Sequence, residues 1–228
     1  MHKGGTTRNA LRRMVRHYSP LIRARGKTIR RFAHQVGLVY FGAVDQRSDD
    51  HEVIRGLTVS TTHQDTHFAI GSFNGYDVSL VDRFDVIMNA TGKAIEHSWL
   101  IMQVELHNTS LPHIFLRPLG HSPAAYTKFF VAYNNLHIIN DQFTTAHSAE
   151  FAGRYEIHGT ASRAAETEAV LASHVTQTIA ARFWPHAVEI YKGKLYVYIT
   201  EHRPDGAVLG AALEASTWLA ETLDKRPT

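Results

Sequence analysis

Cysteine is absent from the 228-residue chain. That excludes a disulfide framework, thiolate metal sites and thiol catalysis. Carboxylates are absent from its first 34 residues, which hold ten Lys and Arg. Long apolar runs are absent too. The best, residues 36–44 (VGLVYFGAV), has nine residues where a spanning helix needs about 20. The N-terminal charges have no apolar core of about 7–15 residues behind them, so they do not read as a secretory signal. An Arg-rich, acid-free start also resembles an organellar transit peptide. Several reaction signatures are missing: the Gly-x-Ser-x-Gly elbow, the Gly-x-x-x-x-Gly-Lys phosphate loop and the Gly-x-Gly-x-x-Gly turn.

What is present is ordinary globular composition, 44% hydrophobic and 20% charged, with enough chain for one sizeable core. The net charge of +3 conceals an asymmetry, because residues 35–228 hold 14 basic against 21 acidic groups, a net of −7. A basic arm on an acidic body calls for an anionic partner or for folding back on that body. The candidate contacts are Arg8, Arg12, Arg13, Arg16, Arg23, Arg25, Lys27, Arg30 and Arg31. Pro20 and Gly26 should interrupt any helix through this arm.

The strongest local signal is residues 68–82, FAIGSFNGYDVSLVD. Asn74-Gly75 is the two-residue turn whose central residues need positive φ. Pairing outward sets Phe73 against Tyr76, Gly71 against Val78 and Ala69 against Leu80, all on one apolar face. Ser72, Asp77 and Ser79 share the other face with Phe68, Ile70 and Val81. Further strands are expected at 36–44 (buried), 57–62, 98–107, 113–116 (an edge strand, with proline at both ends), 136–143 and 155–158. Residues 45–52 read as a polar turn and 86–95 as a mobile loop. A helix is expected from Ser122-Pro123 over 124–131. Leu171, Val175, Ile179 and Phe183 recur at helical spacing, with a break near Ser173 and a stop at Pro185. Lys192-Gly193 turns a second hairpin, and 205–223 closes the chain as an amphipathic helix. The fold class is therefore α+β: a mainly antiparallel, strongly curved sheet of short strands with C-terminal helices packed on it. Residues 1–34 are a basic arm and 35–228 a single domain.

Sixteen histidines raise the question of a metal. The densest group is His63, Asp65 and His67, which share one face if the strand is regular, each about 7 Å from the next. That spacing lacks the His-Glu-x-x-His pattern and suits surface histidines near a hairpin better than one ion. Asp77, Asp82 and Asp85 are candidate acid–base partners, with a solvated rim as the plainer reading. Tyr191, Tyr196 and Tyr198, near Lys192 and Lys194, offer stacking rings for single-stranded nucleic acid. Half-buried sheet tyrosines explain them as well.

The body is similar to a widespread family of bacterial proteins of unknown function whose α+β domain often follows N-terminal membrane helices. The residues that carry the resemblance are 71–82 (GSFNGYDVSLVD), 111–118 (LPHIFLRP), 150–155 (EFAGRY), 193–198 (GKLYVY) and the closing helix, within 68–223. The resemblance implies a domain on the cytoplasmic side of a membrane and transfers no active-site residue. This chain carries a basic arm where the family has spanning helices, which makes peripheral attachment the substitute. Taken together, the expectation is a non-catalytic domain without cofactor or metal. It would be cytoplasmic and peripheral to the inner face of the membrane, with an anionic membrane surface or a membrane protein as partner. A nucleic-acid-binding protein and a metal-dependent hydrolase are the alternatives.

Overall fold

A computed structural model describes residues 19–43, 64–88, 94–120, 136–140, 143, 147–199 and 205–225. The expected strand at 57–62, turn at 45–52 and helix at 124–131 lie outside them. Among the described residues the chain runs α1 (Ser19–Val36), β1 (Val39–Ala43), β2 (Gln64–Phe73), β3 (Tyr76–Met88), β4 (Ala94–Glu105), β5 (Ile114–Pro118) and β6 (His137–Ile138). There follow α2 (Ala149–Ala152), β7 (Tyr155–Gly159), a 3₁₀ turn at Ala161–Arg163, α3 (Ala164–Val170) and α4 (Ser173–Phe183). The chain closes with β8 (Ala187–Tyr191), β9 (Lys194–Ile199) and α5 (Gly206–Asp224). The strands make one open antiparallel sheet in the order β1-β2-β3-β4-β9-β8-β5-β7-β6.

The hairpin at Asn74-Gly75 forms with the expected register. Asn74 and Gly75 take φ of 51° and 83°, and Ala69, Val78 and Leu80 are fully buried. Lys192-Gly193 repeats the arrangement with φ of 49° and 69°. β3 and β4 run on into both ends of the expected loop at 86–95, pairing as far as Met88 with Ala94. Prolines beside β5 do not make it an edge, because it pairs with both β7 and β8. The expected buried strand at 36–44 is shorter and lies at the rim. α1 ends at Val36, and in β1 Val39 and Phe41 stay 58% and 47% exposed.

The described helices contribute their buried side chains to one face of the sheet. Leu171, Val175, Ile179 and Phe183 pack with Leu209, Leu213, Leu219 and Leu223 of α5 on Leu80, Leu100, Met102, Val188 and Val197. Asp205 caps α5 by accepting from the Val208 amide at 2.9 Å. The second face carries a smaller cluster, including Val81, Trp99, Ile101, Phe115, Tyr196 and Tyr198.

α1 adds a layer that the sequence reading placed outside the body. Its Ile29, Phe32 and Ala33 belong to the main core, so the helical half of the expected arm is part of the fold. Pro20 does not break it, because it stands in the first turn, where its missing N–H costs nothing. Gly26 does not break it either. A Cβ there would lie 2.4 Å from the His67 ring, so glycine lets α1 approach β2. The helix stops at Gly37 (φ 80°). The Leu38 amide there reaches back to the Ala33 carbonyl at 2.8 Å and Leu38 is buried, the closing bond and apolar contact of a Schellman turn.

Candidate functional site

α1 is amphipathic in an unusual way: its outer side is basic and its inner side carries an arginine. Lys27, Arg30, Arg31 and His34 are exposed and recur at i, i+3, i+4 and i+7, one stripe of a helix. The opposite side buries Ile29, Phe32 and Ala33. The first turn holds no carboxylate, and no ion pair to a described residue is formed by Lys27, Arg30 or Arg31. Lys27, Arg30 and Arg31 thus form a row of cations held rigid by the core packing beneath it.

The expected contact residues divide accordingly. Arg8, Arg12, Arg13 and Arg16 lie outside the described residues. Arg23 falls in α1, one turn before Lys27. Arg25 is the correction: it is 5% exposed and its Nη2 lies 2.7 Å from Asp82 Oδ1. Helical spacing turns it inward with Ile29 and Phe32, so it anchors the helix rather than meeting a surface. Burial raises the Asp82 pKa above the usual carboxylate value, and the Arg25 and His67 charges only partly oppose it.

Asp65 and His67 of the expected histidine group do not share a face. His63 lies outside the described residues. β2 shifts register between Thr66 and Ala69, with His67 at φ 54°, and this bulge reverses the alternation of side chains. Asp65 therefore sits on the second face, where Arg83 Nε and Nη2 donate to its two oxygens at 2.7 and 2.8 Å. His67 turns to the helical face, with its Nδ1 2.7 Å from the Tyr40 hydroxyl. Among the described residues no three acidic or histidine side chains are grouped to hold a metal. Asp77 and Asp82 likewise part company, since Asp77 is exposed and bonds Ser72 at 2.8 Å while Asp82 is buried.

The second face holds a polar layer that sequence reasoning missed. Glu189 is fully buried. It accepts from the Tyr198 hydroxyl and lies 2.8 Å from His113 Nε2. Arg117 and His158 both reach Glu156 Oε2, at 2.6 and 2.8 Å. Burial opposes ionisation of Glu156, but those two partners together hold its pKa below the usual value. Gln103 is 1% exposed, and neither amide atom has a hydrogen-bond partner among the described residues. Of the tyrosines expected to be half-buried, Tyr191 is so, while Tyr196 is 2% exposed and Tyr198 wholly buried. Burial pushes both hydroxyl pKa values well up. Alternation in β8 and β9 was visible, yet nothing in it said that both faces are covered.

One cavity, of about 480 Å³, lies between the Asn74-Gly75 turn and the last turns of α5. Glu214, Trp218 and Glu221 line one wall, Tyr76 and His107 the other, with the Tyr76 and His107 rings stacked 5.1 Å apart. Rings beside carboxylates suit an organic cation. The i, i+4, i+7 spacing of Glu214, Trp218 and Glu221, off the inward-facing Leu stripe, is the signal that marks this wall.

Among the described residues no helix is long and apolar enough to cross a membrane. No protein-family model matches the sequence, and no curated protein matches it. Among solved structures the chain is similar to a mycobacterial trehalose monomycolate transport factor, TtfA. The two share 11% identity at a TM-score of 0.61, over 90% of this chain and 97% of that one. At that identity the likeness is one of fold.

Proposed function

We propose that this protein is a non-catalytic domain that docks peripherally on an anionic membrane surface, or on a membrane-bound partner, through the basic face of α1. The observation that carries this reading is the one-sided display of Lys27, Arg30, Arg31 and His34 on a helix whose other side is buried. Each Lys or Arg near an anionic surface contributes on the order of 1 kcal/mol. The cations of residues 1–18 would add to the same field. A similar fold in a protein that is a transport factor for trehalose monomycolate also supports the reading.

Vesicle co-sedimentation tests it. The full chain should bind phosphatidylcholine vesicles containing phosphatidylglycerol and not phosphatidylcholine alone. Lys27→Glu/Arg30→Glu/Arg31→Glu should lose most of that binding with the fold intact. Equal binding by this variant rejects the reading. Tight binding to single- or double-stranded DNA, with affinity falling steeply on a log-salt plot, would transfer the same stripe to nucleic acid instead.

A further inference from the structure

The cavity between the Asn74-Gly75 turn and α5 is built from groups that membrane docking does not use. Its volume of about 480 Å³ falls within the roughly 300–1,000 Å³ of small-molecule sites. One wall is a pair of rings, Tyr76 and His107, stacked 5.1 Å apart. Asp224 fixes that wall from behind. Its oxygens accept from the His107 and Asn108 amides at 3.2 and 2.8 Å, and one lies 3.3 Å from His107 Nδ1. The same carboxylate faces the Tyr76 hydroxyl. Asp224 is thus engaged in holding the rings, which await a ligand already in place.

The opposite wall supplies charge on both sides of a third ring. Trp218 is half-buried, and Glu214 and Glu221 are exposed. Seven residues apart, the two glutamates are separated by about 10 Å along the α5 axis. One metal ion, with oxygen ligands at about 2.0–2.6 Å, does not suit that spread. A carbon-rich cation lying on the ring between them does. Glu214 forms no ion pair with a described residue. Glu221 pairs with Lys225 at 2.8 Å, but both side chains are more than half exposed, so that pair contributes little and yields to a competitor. The Trp218 ring already draws one cation, since the Arg182 guanidinium stands 6.0 Å from its centroid. Residues 35–228 carry a net charge of −7, which adds a long-range attraction of the same sign.

From this arrangement we infer that the cavity binds a small organic cation. The ligand is a substituted ammonium compound whose charged nitrogen rests on Trp218 between Glu214 and Glu221, with its alkyl groups against Tyr76 and His107. Ring faces favour such a cation, as in the aromatic cages that bind quaternary ammonium groups. The inference stands apart from membrane docking, because none of the lining residues belongs to α1.

Isothermal titration calorimetry on the full chain tests it, without vesicles. Choline and spermidine are the organic probes, with K⁺ and Mg²⁺ at matched ionic strength as inorganic controls. At least one organic probe should bind saturably and change the tryptophan emission of the wild type but not of Trp218→Phe. Trp218→Leu should weaken binding by about fivefold or more. Glu214→Gln/Glu221→Gln, which keeps the shape of two exposed side chains, should weaken it by a similar factor and flatten its salt dependence. Arg182→Gln should bind more tightly, because it frees the ring of its resident cation. That gain is one a merely structural tryptophan would not produce. If Trp218→Leu fails to fold, the glutamate pair and Arg182→Gln decide the matter. No saturable binding of either organic probe overturns the inference, as does Mg²⁺ binding that displaces them at equal concentration. Undiminished binding by the folded glutamate variant, or no gain in Arg182→Gln, overturns it as well.

Discussion

Arg25 Nη2 lies 2.7 Å from Asp82 Oδ1, with both side chains 5% exposed, and this pair ties α1 to the third strand of the sheet. Removing one partner of a buried pair leaves an uncompensated charge, which costs about 3–5 kcal/mol. Arg25→Ala should therefore lower stability by that order in urea denaturation. Arg25→Met/Asp82→Leu should regain most of it, because apolar groups of similar volume replace the pair without stranding a charge. A single Arg25→Ala that unfolds at the wild-type midpoint would refute the anchoring role.

Gly26 and His67 make a second, steric test of the same docking. A Cβ at Gly26 would sit 2.4 Å from His67 Cε1 and 2.7 Å from Nε2, and that ring is held by the Tyr40 hydroxyl. In an isolated helix Gly26→Ala would gain about 1 kcal/mol. Here it should instead destabilise, by roughly 1–3 kcal/mol of overpacking. Gly26→Ala/His67→Ala should relieve the clash and recover part of the loss. A stabilised Gly26→Ala single variant would show that α1 does not approach β2 this closely.

The same residues mark how far the sequence could be read. The Asn74-Gly75 hairpin was legible to the residue because its turn chemistry and alternation agree and both are local. The broken helix around Ser173 and the α5 stripe were legible for the same reason. α1 was not, because Pro20 and Gly26 count as helix breakers in isolation. Only the fold shows that one stands in the first turn and that the other makes room for His67. Asp65 and His67 parted on a bulge, a single extra residue that no composition rule announces, and it sent the two to opposite faces. Among the described residues, no signal distinguished Arg25 from Lys27, Arg30 and Arg31 except its register with Ile29 and Phe32. Burial of the second face was illegible, since alternating polar residues normally mean water.

Acid should weaken the fold through His158. Burial lowers its pKa below 6.5 despite the neighbouring Glu156. The unfolded chain therefore takes up a proton near pH 6.5 while the folded chain resists. Stability is present above that value and declines as pH falls toward the folded pKa. Glu156, also lowered, adds its own loss at lower pH, below the ordinary 4.5. Urea midpoints between neutral pH and pH 5 should fall for the wild type and fall less for His158→Gln. A variant with the wild-type slope would assign the pH dependence elsewhere.

Tyr76 offers a spectroscopic check on the α5 cavity. Burial, with help from the Asp224 carboxylate, pushes its hydroxyl up to about 12. In a tyrosinate absorbance titration, the difference between wild type and Tyr76→Phe should therefore be nearly flat through pH 10 to 11. A difference that titrates at the ordinary value of 10.0 would mean that the hydroxyl is in water and that Asp224 does not reach it.

Gln103 gives a prediction whose sign is informative. Its side chain sits between Ser79 and Tyr196 across the sheet, 1% exposed, with neither the amide oxygen nor the nitrogen bonded to a described residue. A buried polar group left unsatisfied costs about 1–3 kcal/mol. An apolar side chain of similar length relieves that cost without opening a cavity. Gln103→Met should therefore raise the unfolding midpoint, against the usual direction of core substitutions. If Gln103→Met destabilises instead, the amide is engaged by a bound water or by residues outside those described. Gln103→Glu separates the cases, because an acceptor-only group there would be tolerated only where a donor faces it.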